Sequence, residues 1–112
     1  MGPQDVAAYF APLLRLELAE LQQASADTAA SRKPVELDQQ SVGRLSRMDA
    51  MQNQAMAAAI ETRRRGRIRS LNAALARIES GEFGFCESCG GSVPFERLAL
   101  DPTYSRCVGC RA

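Results

Sequence analysis

Histidine and tryptophan are absent from this 112-residue sequence, and its aromatic side chains are two tyrosines and four phenylalanines. Without histidine, no side chain titrates near neutral pH by default, so the commonest general base is missing. There is no Gly-rich phosphate loop and no nucleophile motif, and the paired carboxylates fall on helix faces where solvated surface is the default. The chain is therefore expected not to be an enzyme. So few aromatics leave little material for a large core, and the length fits one domain or a small module with an extended arm. An excess of one charge is lacking too. Fourteen basic side chains face thirteen acidic ones, a formal net charge of +1, which makes direct DNA binding unlikely. No apolar run approaches the length of a bilayer span, and Met1-Gly2-Pro3-Gln4-Asp5 lacks the basic-then-apolar order of a signal peptide. The expected location is the cytoplasm, with no membrane contact.

What the sequence does have is four cysteines, as Cys86-Glu87-Ser88-Cys89 and Cys107-Val108-Gly109-Cys110, with residues 90–106 between the pairs. A C-x-x-C turn aims two thiolates at one metal ion and a second such turn completes a tetrahedron, which is the ligand set of structural zinc. Four sulfurs leave no open coordination position, so one structural Zn2+ is expected rather than a catalytic one. Iron suits the same four thiolates. Two disulfides, or a redox-active C-x-x-C, are the competing readings. The first needs an oxidising compartment, and the second needs only one pair, placed near a βαβ pattern. Gly90 and Gly91 after the first pair, and Gly109 inside the second, suit tight turns whose N–H groups point at sulfur.

Upstream, the pattern is helical. Phe10, Leu13, Leu14, Leu18 and Leu21 form an apolar stripe within residues 4–33, with Pro12 marking either the start of the main helix or a kink. Pro34 stops that helix, and residues 34–40 read as a connector with Asp38 or Ser41 placed to cap the next one. From about 41 to 80 a second helix carries Val42, Leu45, Met48, Met51, Ala55 and Ala59 near one face. The pattern is interrupted at Glu61–Gly66, then resumes as a coiled-coil seam at Ile68, Leu71, Leu75 and Ile78. Gly81 falls where a left-handed residue ends a helix. Two such helices pack antiparallel, and one of about 38 residues is about 57 Å long. Phe83, Phe85, Phe95, Leu98 and Leu100 are expected to form a satellite core beneath the metal. The expected fold class is mainly α, a long antiparallel helical hairpin (residues 1–80) with a C-terminal four-cysteine zinc finger (residues 81–112).

The run from Cys86 to Cys89, with Val93, Arg97, Pro102, Cys107 and Cys110, resembles the zinc-finger signature C-[DES]-x-C-x3-I-x3-R-x4-P-x4-C-x2-C of the DksA/TraR family of bacterial transcription regulators. Every spacing fits, with Val93 in place of isoleucine. Gly81-Glu82-Phe83-Gly84-Phe85 is similar to the family's approach to the first cysteine. The resemblance implies a partner, RNA polymerase, entered through its secondary channel by a helical hairpin with an acidic D-x-x-D-x-A tip. Here Asp38 matches that tip pattern, with Glu36 beside it, while Val35 and Gln40 depart from it and Asp49 competes for the role. Asp101 stands where DksA-like proteins carry a basic residue tied to guanosine tetraphosphate, and those proteins open a further helix at the last cysteine where this sequence ends. A response to that alarmone is accordingly doubtful.

Arg63-Arg64-Arg65-Gly66-Arg67-Ile68-Arg69 is the one charge cluster. It reads as a solvated helix face, or as docking residues for an acidic protein surface together with Arg97. Two other classes of function compete with polymerase binding by a monomer. One is a zinc-finger DNA-binding protein using the arginines, whose duplex affinity would fall steeply with salt. The other is a zinc-stapled helical adaptor, whose unburied Met48 and Met51 would seek a helical partner or a second copy.

Overall fold

A computed structural model of the chain describes residues 2–33 and 44–111. It is an elongated molecule, 66 × 27 × 20 Å. Helix α1 runs Pro3–Asp27, a 3-10 turn follows at Ala29–Arg32, helix α2 runs Arg44–Ser80, and a short helix α3 spans Phe95–Leu100. A second 3-10 turn covers Val108–Cys110. Among the described residues the only β pairing is an isolated antiparallel bridge between Phe85 and Ser92.

Pro3 opens α1 at a position whose N–H would have no intrahelical partner, and the Asp5 carboxylate accepts the Gly2 N–H at 3.1 Å. The helix continues through Pro12 instead of starting there. Pro12 and Ala8 are both exposed, so the carbonyl that loses its partner four residues back is within reach of water. At the other end Thr28 donates its hydroxyl to the Ala24 carbonyl, and the chain tightens into the 3-10 turn six residues short of the expected helix end. Gly81 ends α2 as anticipated. With φ 79°, its N–H reaches the Ile78 carbonyl while the Glu82 N–H reaches that of Arg77, a Schellman motif.

The two long helices pack antiparallel, since Glu17, Ser25 and Lys33 of the rising strand meet Arg67, Glu61 and Gln54 of the falling one. The buried side of α2 follows a single register, Arg47, Ala50, Gln54, Ala57, Glu61, Arg64, Ile68, Leu71, Leu75 and Ile78, in alternating steps of three and four. Its apolar half is the base. Met48 and Met51, expected near the seam, lie outside it with more than half their surface exposed. On α1, Phe10 and Leu14 are buried but Leu13 is half exposed and leaves the stripe.

The expected satellite core is not separate. Phe83, Val93 and Leu98 from the C-terminal module join Phe10 and Leu14 of α1 and Leu71 and Ala74 of α2 in one cluster that also contains Cys86. Phe10 is the hinge of this packing, its ring 6.0 Å from Phe83 and 5.3 Å from Phe95. Phe95 keeps its outer edge in water, and Leu100, at 82% exposed, belongs to no core. The reason is geometric. A six-residue helix buries one side chain deeply, here Leu98, and turns Leu100 away from it.

Candidate metal centre

The first cysteine pair sits on a tight hairpin. The Phe85–Ser92 bridge brings its ends together, the Cys86 N–H donates to the Gly91 carbonyl at 2.6 Å, and the Gly90 N–H to that of Cys86 at 2.8 Å. Gly90 closes the turn at φ 75°, a region other residues reach only with strain. Gly109 has no positive φ, and the second pair is shaped by a 3-10 turn in which the Cys110 N–H meets the Cys107 carbonyl. The two limbs are then tied to each other. The Glu87 N–H donates to the Ser105 carbonyl at 2.8 Å, and Arg106 pairs with the Glu87 carboxylate at 3.1 Å.

These ties place all four sulfurs within 4.8 Å of one another, with Cys86 buried and Cys89 exposed. All four are free thiols, and the Cys89–Cys107 separation of 3.8 Å is far beyond a disulfide bond. It is also the edge of a tetrahedron with metal–sulfur bonds of about 2.3 Å. The donor set and spacing fit a tetrahedral thiolate metal. Electrostatics agree. The Cys107 N–H pulls the Cys86 thiol down, burial opposes it, and the N–H groups of Cys89 and Ser88 reinforce it, leaving Cys86 at about 6. Hydrogen bonding among the thiols of Cys107, Cys89 and Cys86 pushes Cys110 up to about 12. Four adjacent sulfurs do not ionise together unaided, and a divalent cation is what draws off the remaining protons.

Arg97, the arginine of the signature, is occupied within the module. Its guanidinium lies 4.3 Å from the centroid of the Tyr104 ring and its Nε donates to the Arg106 carbonyl at 2.8 Å. The arginine cluster is likewise largely spent inside the molecule. Arg64 bonds Glu61 at 2.7 Å and Thr28 at 3.2 Å, and Arg65 bonds Glu61 at 2.9 Å. Arg67 bridges Glu17 of α1 and Asp101 beyond α3. Hydrogen bonding to Glu17, then to Asp101, holds the Arg67 guanidinium above its ordinary value. Arg63 is exposed. Asp49 is exposed near the start of α2, whereas Glu36 and Asp38 lie outside the described residues.

Two groups to which the sequence reading gave no part in the packing carry this network. Glu61, inside the supposed interruption, is 4% exposed and accepts from Ser25, Arg64 and Arg65. Burial pushes its carboxyl up, but those hydrogen bonds and the Arg32 charge outweigh it and hold it at about 2. Asp101 accepts from Arg67 and from the Thr103 N–H and hydroxyl. Burial opposes those bonds, and its carboxyl still lies below the usual range. Stepping back from Ile78 by the seam's own alternation lands on Glu61 and Arg64, so the register was the available signal.

A four-cysteine cluster of this geometry, packed into the base of a long helical hairpin, defines a zinc-finger protein with a projecting arm. Residues 81–112 match the prokaryotic dksA/traR C4-type zinc finger. It is 37% identical over 49 residues to the RNA polymerase-binding transcription factor DksA of Escherichia coli (strain K12), a match covering 44% of this chain and 32% of that protein. It is 34% identical over 56 residues to the protein of the same name from Haemophilus influenzae, covering 46% and 39%. The matched part is thus about a third of the length of these curated relatives. The structure of transcription factor DksA2 from Pseudomonas aeruginosa superposes with a TM-score of 0.69 over 97% of this chain and 80% of that one. At 16% identity this likeness establishes the fold.

Proposed function

We propose that the chain is a non-enzymatic regulator of bacterial transcription, acting as a monomer in the cytoplasm. In this reading it binds RNA polymerase and inserts its hairpin into the secondary channel. The observation that carries the reading is the combination of a family zinc finger with a long helical arm on a 66 Å molecule, in a chain whose relatives are named for binding RNA polymerase. One structural Zn2+ held by Cys86, Cys89, Cys107 and Cys110 would hold the base of the arm. The acidic tip would act through Asp38, with Glu36 beside it in sequence and Asp49 as the competing candidate for the same role. At the base, Tyr9, Leu13 and Leu16 follow one another at four- and three-residue steps on the outer face of α1, each about half exposed. That stripe would supply an apolar surface for the channel rim, and Arg63 an exposed basic charge on α2. A response to guanosine tetraphosphate is not expected, because Asp101 sets a carboxylate against a polyphosphate.

The zinc-loaded protein should compete with a known secondary-channel binder for bacterial core RNA polymerase at micromolar or better affinity. Asp38→Asn should abolish the effect on transcription in vitro while leaving that affinity and the zinc content intact. A folded, metallated protein that does not bind core enzyme would refute the reading. The adaptor alternative keeps one observation in its favour, the exposed Met48, Met51, Met56 and Ile60 on α2. Self-association in sedimentation at micromolar concentration would favour it over the polymerase reading.

A further inference from the structure

Arg67 reaches three separate parts of the chain. Its own backbone is in α2, its Nη2 donates to Glu17 Oε1 of α1 at 2.9 Å, and its Nη1 donates to both Asp101 oxygens at 2.9 Å and to Thr103 Oγ1 at 3.1 Å. Asp101 and Thr103 begin the limb that ends in Cys107 and Cys110. Along the way that limb is fastened by the Arg77 guanidinium on the Thr103 carbonyl, by the Glu87 N–H on the Ser105 carbonyl, and by Arg97 on the Arg106 carbonyl. One end of residues 101–107 is therefore held by the arm and the other by the metal ligands.

We propose that Arg67 couples occupancy of the four-cysteine centre to the packing of α1 on α2, with Asp101 as the receiving end of the coupling. The proposal rests on the metal reading given above. Its logic is conformational entropy: a short limb pinned at one end loses less freedom when the other end is pinned. Binding at the sulfurs thus favours the Arg67–Asp101 pair, and the pair favours binding by the same factor. A carboxylate at 101 gives this chain a direct ion pair between the zinc-finger limb and the arm. A single nitrogen, Nη1, serves both Asp101 oxygens, and the part-exposed charges keep the effect at the low end for coupled sites.

The test uses the full chain and zinc ion, with affinity measured against a chromogenic chelator. Arg67→Gln should lower zinc affinity by about fivefold. Asp101→Asn should lower it by a similar factor, and the double variant by no more than either alone. Glu17→Gln, which keeps the Arg67–Asp101 pair but cuts its link to α1, should lower zinc affinity by a smaller factor and remove the zinc dependence of amide exchange around residue 17; unchanged zinc dependence there would overturn the link to α1. In the unsubstituted protein, chelation should speed amide exchange around Glu17 and Arg67, and Arg67→Gln should show that faster exchange with zinc still bound. Zinc affinity within twofold of the unsubstituted chain in folded Arg67→Gln, or additive losses in the double variant, would overturn the proposal while leaving the metal reading standing. Failure of the unsubstituted chain to bind zinc would overturn both. If Arg67→Gln does not fold, Asp101→Asn alone carries the affinity and exchange measurements, with the same outcomes deciding.

Discussion

Glu61 sits in the interface between α1 and α2 with Ser25, Arg32, Arg64 and Arg65 around its carboxylate. Its carboxyl is held at about 2, against 4.5 for the free group. A depressed carboxyl contributes stability that is fully present above the unfolded value and is lost as pH falls towards the folded one. Thermal stability should therefore decline between about pH 4.5 and pH 2 by more than in Glu61→Gln. Zinc loss in acid is common to both proteins, so the difference between their melting curves isolates the Glu61 contribution. A constant difference across that window would show that the network holds no proton-linked stability. Gly66 offers a second test at this scale. It lies inside unbroken α2, and a Cβ there would meet nothing closer than Arg69 Nη2 at 3.6 Å, the mobile end of a long side chain. Gly66→Ala should stabilise the protein by about 0.5–1 kcal/mol through helix propensity. Destabilisation on urea titration would reveal a bend that the helix needs.

At the scale of elements, the hairpin is held differently along its length. Near the base, Leu14 and Leu71 are fully buried against each other's neighbours, whereas farther out the same register places Glu61, Ala57, Gln54 and Ala50 in the interface. Leu71→Ala should cost about 2–5 kcal/mol, the range for deleting a buried leucine. Met51→Ala should change stability by less than about 0.5 kcal/mol, because its side chain is 56% exposed. Equal losses at the two positions in chemical denaturation would mean the seam had been misplaced. This is also where sequence reading went astray. It followed hydrophobicity and chose Met48 and Met51, when continuity of the three-four step from Ile68 to Ile78 points to polar positions. Polar residues in a seam defeat a search for apolar ones, since their burial is made tolerable only by partners on the opposite helix.

For the molecule as a whole, the cysteine module and the hairpin base share one core, because Cys86 lies in a cluster with Phe10, Leu14 and Leu71. In a module this small, metal-binding free energy is folding free energy. Stripping the metal with a strong chelator should lower the melting temperature of the whole protein, with loss of helical signal as well as loss of the 81–111 structure. Retention of the full helical signal and of one unshifted transition would show that the arm stands independently of the finger. Metal uptake should also release protons, since a cysteine binds metal as its thiolate, and affinity should rise with pH.

The sequence by itself determined the four-cysteine set of the candidate metal centre and the fold class. Ligand identity depends on residue type and on spacings of two and seventeen residues, and helix type on periodicity, both of which are local in the chain. The same holds for Gly81, whose left-handed turn needs only its own backbone freedom. Tertiary structure alone decided where the charges go. Arg67 meets Glu17 fifty residues away and Asp101 thirty-four away, and Glu61 meets Ser25 across thirty-six. Such pairs leave no trace in local composition, because an arginine facing solvent and one clamped between two carboxylates are the same letter. They exist only once two helices and a zinc-finger limb have been brought side by side.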